Sequence, residues 1–577
     1  MSTTLVVLVL PHGRTPGGRL RAGIHVSPRL SGAPLLSGFP DWLHWTGQVQ
    51  RHGLGFTLAA NGHSRRVDVD PAVLRPDVWD AVFGDDSRVD GFPTPDYDQR
   101  LVVSYPTRLA HDYLRWAYRT MATRPVVGDR GGLAELLGDL VFRDEAGEST
   151  LDDTLARRRV ALWNEQHAEP GAAPTGPEPA PALEEPGPLT KPAGARGMAE
   201  QLALYHHLPP APGRPPLPHT PDQLSRLIDF HQALTALSAY PTLLPALGLT
   251  FEVELPEAFC PDSPSAGAYR AVEVTAVHPG WPWAEDPTLV TPATSYVVSA
   301  DAFTAAPATS PGDLEGGILE PADVVGGFLA LTPEDFHVVG VDLDGAMLKA
   351  MALADSLAAS GGTGRDDDLL PALRSGGLSL LADSRGQQLL QAIRDNQALT
   401  AAAAGGGAMR PLTAVDLTRG YRLDVFDDRR GTWHSLHRRD GTYRFGTSGP
   451  TVQTEDEEGF VQLAVTQPAD DPGRPEDPVA TAAGIPQPGT DLYVNERVAR
   501  WNGWSLSAPR PGQPLNRSPD PARSLDTDDT ANAPAASFHV QAGFAAHAGS
   551  LPTLRFGARY RLRARAVDLT GHSPGLD

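Results

Sequence analysis

The chain has 577 residues, a formal net charge of −22 and one cysteine, Cys260. The charge argues against a general binder of nucleic acid or anionic membrane, because neutralising phosphates takes a basic surface. The lone cysteine excludes an internal disulfide framework and any zinc or iron–sulfur site built on several cysteines.

A chain this long exceeds one hydrophobic core, so several domains are expected, and 58 glycines with 56 prolines predict many turns. Lys191 and Lys349 are the two lysines, which leaves Schiff-base and P-loop chemistry almost nothing to use. No run approaches 18 apolar residues and no signal peptide stands out, so a cytoplasmic protein without membrane insertion is expected.

In chain order, Thr3–Leu10 (TTLVVLVL) reads as a first buried strand and Arg19–Val26 as a second, in alternation. Trp42 and Trp45 follow, with His44 and His52 nearby. Those two histidines lack a third ligand at a defined spacing and are not assigned to a metal. Leu54–Ala59 predicts a strand turning at Asn61-Gly62, and Asp70-Pro71 caps a helix to about Phe83. Arg100–Tyr105 predicts a strand. The helix from Thr107 carries Leu109, Tyr113, Trp116 and Met121 at core spacing.

Two helical patterns, Gly132–Phe142 and Asp152–His167, complete an α+β unit over 1–168. The run Arg157-Arg158-Arg159 in the second reads as a solvated face. Residues 169–219 hold eight prolines between Pro170 and Pro192 and read as a linker or long loop.

A second α+β unit is expected over 220–400. It opens on Thr220-Pro221-Asp222-Gln223, a capping signal for a helix through Leu237. Strands are predicted at Thr250–Leu255, Arg270–Val277 and Ser295–Ala300. Within this unit Phe336–Leu348 (FHVVGVDLDGAML) resembles the first motif of haloacid dehalogenase-type phosphotransferases. The resemblance implies a nucleophile at Asp342 and a general acid at Asp344. Ala346 stands where the family has Thr or Val, and Asp366-Asp367-Asp368 follows soon after in a glycine-rich stretch. The plainer reading is a strand, a turn and a helix over 346–358.

After Ala401–Gly407 (AAAAGGG) the chain turns strand-rich. A β-rich unit over 408–466 contains Gly420–Phe426, Thr432–His437 and Thr442–Phe445. His434 and His437 fall on opposite faces of a strand, poor geometry for one metal. Trp501 and Trp504 open the last unit, 490–577.

That unit ends on Leu554–Ser573, LRFGARYRLRARAVDLTGHS. Tyr560, Leu562, Ala564 and Ala566 alternate with Arg561, Arg563 and Arg565, which predicts a half-buried strand with its arginines in water. The aromatic, the alternation and the Asp568–Ser573 turn resemble the penultimate strand and hairpin of a fibronectin type III or immunoglobulin-like β-sandwich. That resemblance implies a further strand to cover an otherwise unpaired edge, and hence an incomplete module here. The α/β elements and the Trp501–Leu506 segment also loosely resemble large uncharacterised proteins of GC-rich bacteria, which implies no activity.

The fold class expected is multi-domain α+β, β-rich in its last third and closing on a β-sandwich segment. No nucleophile elbow, H-E-x-x-H, Walker A or dinucleotide fingerprint stands in a supporting context, so no catalytic, cofactor-binding or metal residue is assigned. Cys260 without an assignable base reads as a small buried hydrophobe. The function expected is structural or adaptor, through protein–protein contacts in a larger assembly such as a phage-tail-like particle. The alternative is a carbohydrate-active hydrolase with sandwich appendages, in which Trp42, Trp45, Trp501 and Trp504 stack on sugar rings. Exposure of those rings favours the alternative, and burial removes its support.

Overall fold

The computed structural model describes residues 1–90, 101–123, 130–142, 151–167, 190–206, 229–255, 259, 270–299, 302–308, 323–359, 370–404, 410–446, 449–463, 465–466, 492–511 and 540–576. They form a mixed α and β structure, 31% helix and 36% strand, in several separate sheets.

The first strand runs Ser2–Arg14 and pairs antiparallel with Leu20–Ser31. Its apolar run is continuous because both faces are covered. Leu5, Val7 and Val9 enter the main core, while Val6, Leu8 and Leu10 pack with Leu417. Thr250–Leu255 extends the sheet on one side and Thr288–Val290, parallel, on the other.

A five-stranded sheet lies beside it, ordered Phe303–Ala305, Thr294–Val298, Arg270–Pro279, Leu54–Ala60, His63–Asp68. Its outer hairpin turns at Asn61-Gly62, both at positive φ as a tight hairpin turn requires. Strands from 1–168 and from 220–400 thus share these two sheets and one core, so the pairings run across the expected boundary.

A helical layer forms from Thr107–Thr123, Ala195–His206 and Leu343–Ala359, which bury Tyr113, Ala117, Met198, Leu202, Met347 and Ala350 together. The small alanines let these helices approach closely. Residues 195–206 were expected within a linker and are instead a buried helix. Beyond Pro192 the chain regains an Ala/Leu/Met pattern. Most of the proline run, 168–189, lies outside the described residues, as does the Thr220 capping signal. The helix there is described from Phe230 to Leu237, closed by a capping box of Asp229 and Gln232. Arg159 corrects the solvated-face reading: it is buried, on a helix, Leu151–Gln166, that packs against Ala195–His206.

The final strand, Tyr560–Asp568, is not an unpaired edge. It pairs antiparallel along Thr418–Asp427 on one side and meets Phe328–Leu329 on the other. The four described strands of 490–577 all pair outside that range. Leu492–Tyr493 joins Val102–Val103 and Val465–Thr466; Arg497–Trp501 joins Ser375–Ala382; Val540–Ala546 joins Arg438–Phe445. The sheet of Tyr560–Asp568 and the antiparallel sheet of Phe336–Val341, Ser375–Ala382 and Arg497–Trp501 share a core of Leu380, Leu423, Val425, Ala564 and Trp501.

The arginines of this strand do not all stand in water. Arg565 is 1% exposed and grips Asp424 with two hydrogen bonds, Nε to Oδ2 and Nη2 to Oδ1, both 2.9 Å. It also reaches Glu458 at 2.6 Å, and Arg563 adds a 2.7 Å bond to Asp424. Alternation alone misses this: the strand lies inside its sheet, and its second face is covered by the chain's own tail, whose Pro574 carbonyl accepts from Arg565.

Candidate functional site

The phosphotransferase-like motif is folded as a strand, Phe336–Val341, running into the helix Leu343–Ala359. The resemblance does not carry over to the setting. The strand lies in an antiparallel three-stranded sheet, and both acids face arginines of Arg497–Trp501. Asp342 lies 3.6 Å from Arg500; Asp344 lies 3.1 Å from Arg497 and accepts from Tyr105. The space between these side chains is about 10 Å³, enough for roughly one water and too small for a phosphoryl group. Asp366–Asp368 lie outside the described residues.

Trp42, Trp45 and Trp501 are core residues. Trp42 and Trp45 stack at 4.5 Å in the main core, and Trp45 Nε1 donates to the Gly248 carbonyl. Trp501 is buried against Tyr560. Trp504 is half-buried, its Nε1 donating to the Ala508 carbonyl. Buried rings have no face for a sugar, so the stacking platform is withdrawn for Trp42, Trp45 and Trp501. His437 is buried and bonded to Ser507, while His434 contacts the Ser550 carbonyl. His44 pairs with Asp80. Among the described residues no group of three or more His, Cys, Asp or Glu is placed to hold a metal. Cys260 lies outside the described residues.

One chemistry-bearing cleft is not marked by sequence spacing. A cavity of about 390 Å³ opens where the end of the first strand meets the turn after the last one. His12 Nε2 lies 3.2 Å from Asp568 Oδ2 and 2.9 Å from Thr570 Oγ1. The imidazole of His572 stacks on that of His12 at 4.1 Å, nearly parallel. Asp568 Oδ1 accepts three hydrogen bonds, from the backbone N–H groups of Thr570 and His572 and from the Thr570 hydroxyl.

Burial pushes the Asp568 carboxyl up, but His12 and the Thr570 hydroxyl outweigh it and hold it down at about 2. Burial beside His12 pushes His572 down to about 3, so its ring is neutral at pH 7. Gly23 makes room for the His12 ring, which a Cβ there would meet at 2.2 Å. These side chains come from positions more than 550 apart. The sequence signals were Pro11-His12-Gly13, just after the apolar run Thr3–Leu10, and the polar turn 568–573, each unremarkable alone.

Among the described residues the most exposed large apolar side chain is on the turn before the Tyr560–Asp568 strand. Phe556 is fully exposed, at the second position of a turn closed by the Ala558 N–H on the Arg555 carbonyl, with Gly557 at positive φ. Tyr560 Oη ties the turn down by accepting from the Arg555 N–H at 2.9 Å and donating to the Thr553 carbonyl at 2.8 Å. Arg555, Arg559 and Arg561 are exposed around it. Arg429 and Arg430 project from the neighbouring turn, since Asp427 is opposite Tyr560 in the sheet.

No helix among the described residues is long and apolar enough to cross a membrane. No family model, curated protein or solved structure matches the chain.

Proposed function

We propose that this chain is a structural or adaptor protein that acts through protein–protein contacts in a larger assembly, with the Phe556 turn as a docking knob. The observation that carries the reading is an aromatic ring held fully in solvent by a stapled turn, with exposed Arg555 and Arg559 beside it in sequence, on a chain whose net charge is −22. Exposed aromatic anchors flanked by arginine are what binding hot spots are built from. The complementary partner is a protein with an apolar pocket rimmed by carboxylates. We read the two β layers that share the Trp501 core as the sandwich-like body on which this knob is mounted.

The test is the native size of the full chain in its source cells, compared with a Phe556→Asp variant of unchanged thermal midpoint. Migration in a particle with stoichiometric partner proteins, lost in the variant, is the expected result. A free chain in both samples overturns the reading. Sedimentation with anionic vesicles in place of proteins assigns the knob to a lipid surface instead, and overturns it equally.

A further inference from the structure

The cleft beside His12 has a distinct chemical polarity. One wall is apolar and built from Leu10, Phe303, Val324 and Leu417. The lining also includes Arg14 and Arg21. The Arg14 guanidinium is anchored by carbonyls alone: Nε and Nη2 donate to Ser299 at 3.2 and 2.8 Å, and Nη1 to Gly18 at 2.7 Å. Among the described residues no carboxylate pairs with it, and two of its five N–H groups remain. Arg21 is paired with Glu252 at 3.1 Å, yet its Nε is buried without a hydrogen-bond partner. The carboxylate of the site, Asp568, is engaged at Oδ1 by Thr570 and His572 and at Oδ2 by His12.

From this arrangement we infer that the cleft is a binding site for a small organic anion with an apolar body, such as a monocarboxylate. Its head group is held by Arg14 and its hydrocarbon lies against Phe303 and Leu417. A volume of about 390 Å³ is in the range of small-molecule sites, and the mix of an apolar wall with a few convergent polar groups is their usual composition. A carboxylate accepting from a guanidinium with spare donors forms a charge-assisted bond that a neutral or cationic head group cannot reproduce.

The test is calorimetric titration of the full chain with octanoate, octan-1-ol and octylammonium. Octanoate binds with Kd at or below about 1 mM, and the two others at least about tenfold more weakly. Arg14→Gln weakens octanoate about tenfold or more and narrows its advantage over octan-1-ol. Ala302→Trp, at a half-buried position on the cavity wall, abolishes binding by occupying the space. Both variants keep the wild-type thermal midpoint, which separates loss of site from loss of fold. Absence of octanoate binding at several times that concentration overturns the inference. Equal binding of octylammonium does so as well, as does an Arg14→Gln affinity equal to wild type.

Discussion

The amino-terminal core and the carboxy-terminal sheet are both well buried, but they are held by different forces. The first is mainly apolar: Trp42, Trp45, Trp79, Phe56 and Phe251 fill it, the Trp45 indole donates to backbone, and its buried polar groups are few, chiefly Asp41 and the Asp229–His231 pair. The second buries ions. Asp424 is fully inaccessible between Arg563 and Arg565, Glu458 joins them, and nearby Arg439 and Glu457, each 3% exposed, form a second pair that also takes the Tyr443 hydroxyl. Apolar burial is non-directional and tolerates repacking, whereas a buried ion lattice stands only with all its members present. The carboxy-terminal sheet joins strands more than 100 residues apart, and directional pairing there fixes which strand lies beside which.

The strongest test of that contrast sets Asp424→Leu against Trp45→Ala. Removing Asp424 takes from the buried Arg565 one of its two carboxylates and from Arg563 its carboxylate partner, and costs about 3–5 kcal/mol. Trp45→Ala opens a cavity and costs a similar ~3–5 kcal/mol. The two separate on the second substitution. Adding Arg565→Met to Asp424→Leu returns part of the loss, because the surplus buried positive charge goes with it while Glu458 keeps Arg422 at 3.6 Å. No polar change near Trp45 does the same. Urea titrations of the four chains measure this, and a double variant less stable than Asp424→Leu breaks the contrast.

How far the sequence reached follows the same division. Where burial is apolar, periodicity reads it directly: the continuous run Thr3–Leu10, the Asn61-Gly62 hairpin and the stripe through Tyr113 are all present as expected. Where burial is polar, periodicity misleads, because a pattern of two gives faces but not what covers them. Arg565 was placed in water on that ground and is among the most buried side chains. The cleft was illegible for a related reason. His12 and Asp568 meet through tertiary packing, and no local spacing rule joins positions at opposite ends of a chain.

A smaller effect sharpens the contrast by pH. His437 is fully buried among Arg422, Arg439, Arg565 and Glu458, its Nε2 without a hydrogen-bond partner. Burial, partly offset by Glu458, pushes it down to about 3. Below its unfolded value of about 6.5 the unfolded chain takes up a proton that the folded chain refuses. This contribution to stability is therefore complete above pH 6.5 and declines as pH falls toward 3. Asp383 and Glu496, pushed up by burial to about 6 and about 7, act oppositely, favouring the fold as pH falls into that window. They remain in both chains of the comparison and cancel. His437→Gln therefore reduces the stability lost between pH 7 and pH 5 by up to about 2 kcal/mol. Thermal midpoints at the two pH values check it; equal losses in both chains would show that another group carries the acid sensitivity.

The smallest expected effect lies on the strand paired with that of Asp424. Arg561 is four residues before Arg565 and on the same face by alternation, and it also has a carboxylate partner, Asp428 at 3.3 Å, with Phe426 beneath its guanidinium. Its side chain is 69% exposed, against 1% for Arg565. Water screens an exposed pair and holding two long side chains together costs entropy, so Arg561→Ala changes stability by no more than about 0.5 kcal/mol. Arg565→Ala leaves Asp424 and Glu458 without their shared partner and costs several times that. The urea midpoints of the two variants decide whether burial, rather than sequence position or charge, sets the worth of an arginine on this strand. Comparable losses would mean that the exposed end of the sheet is as firmly held as its centre.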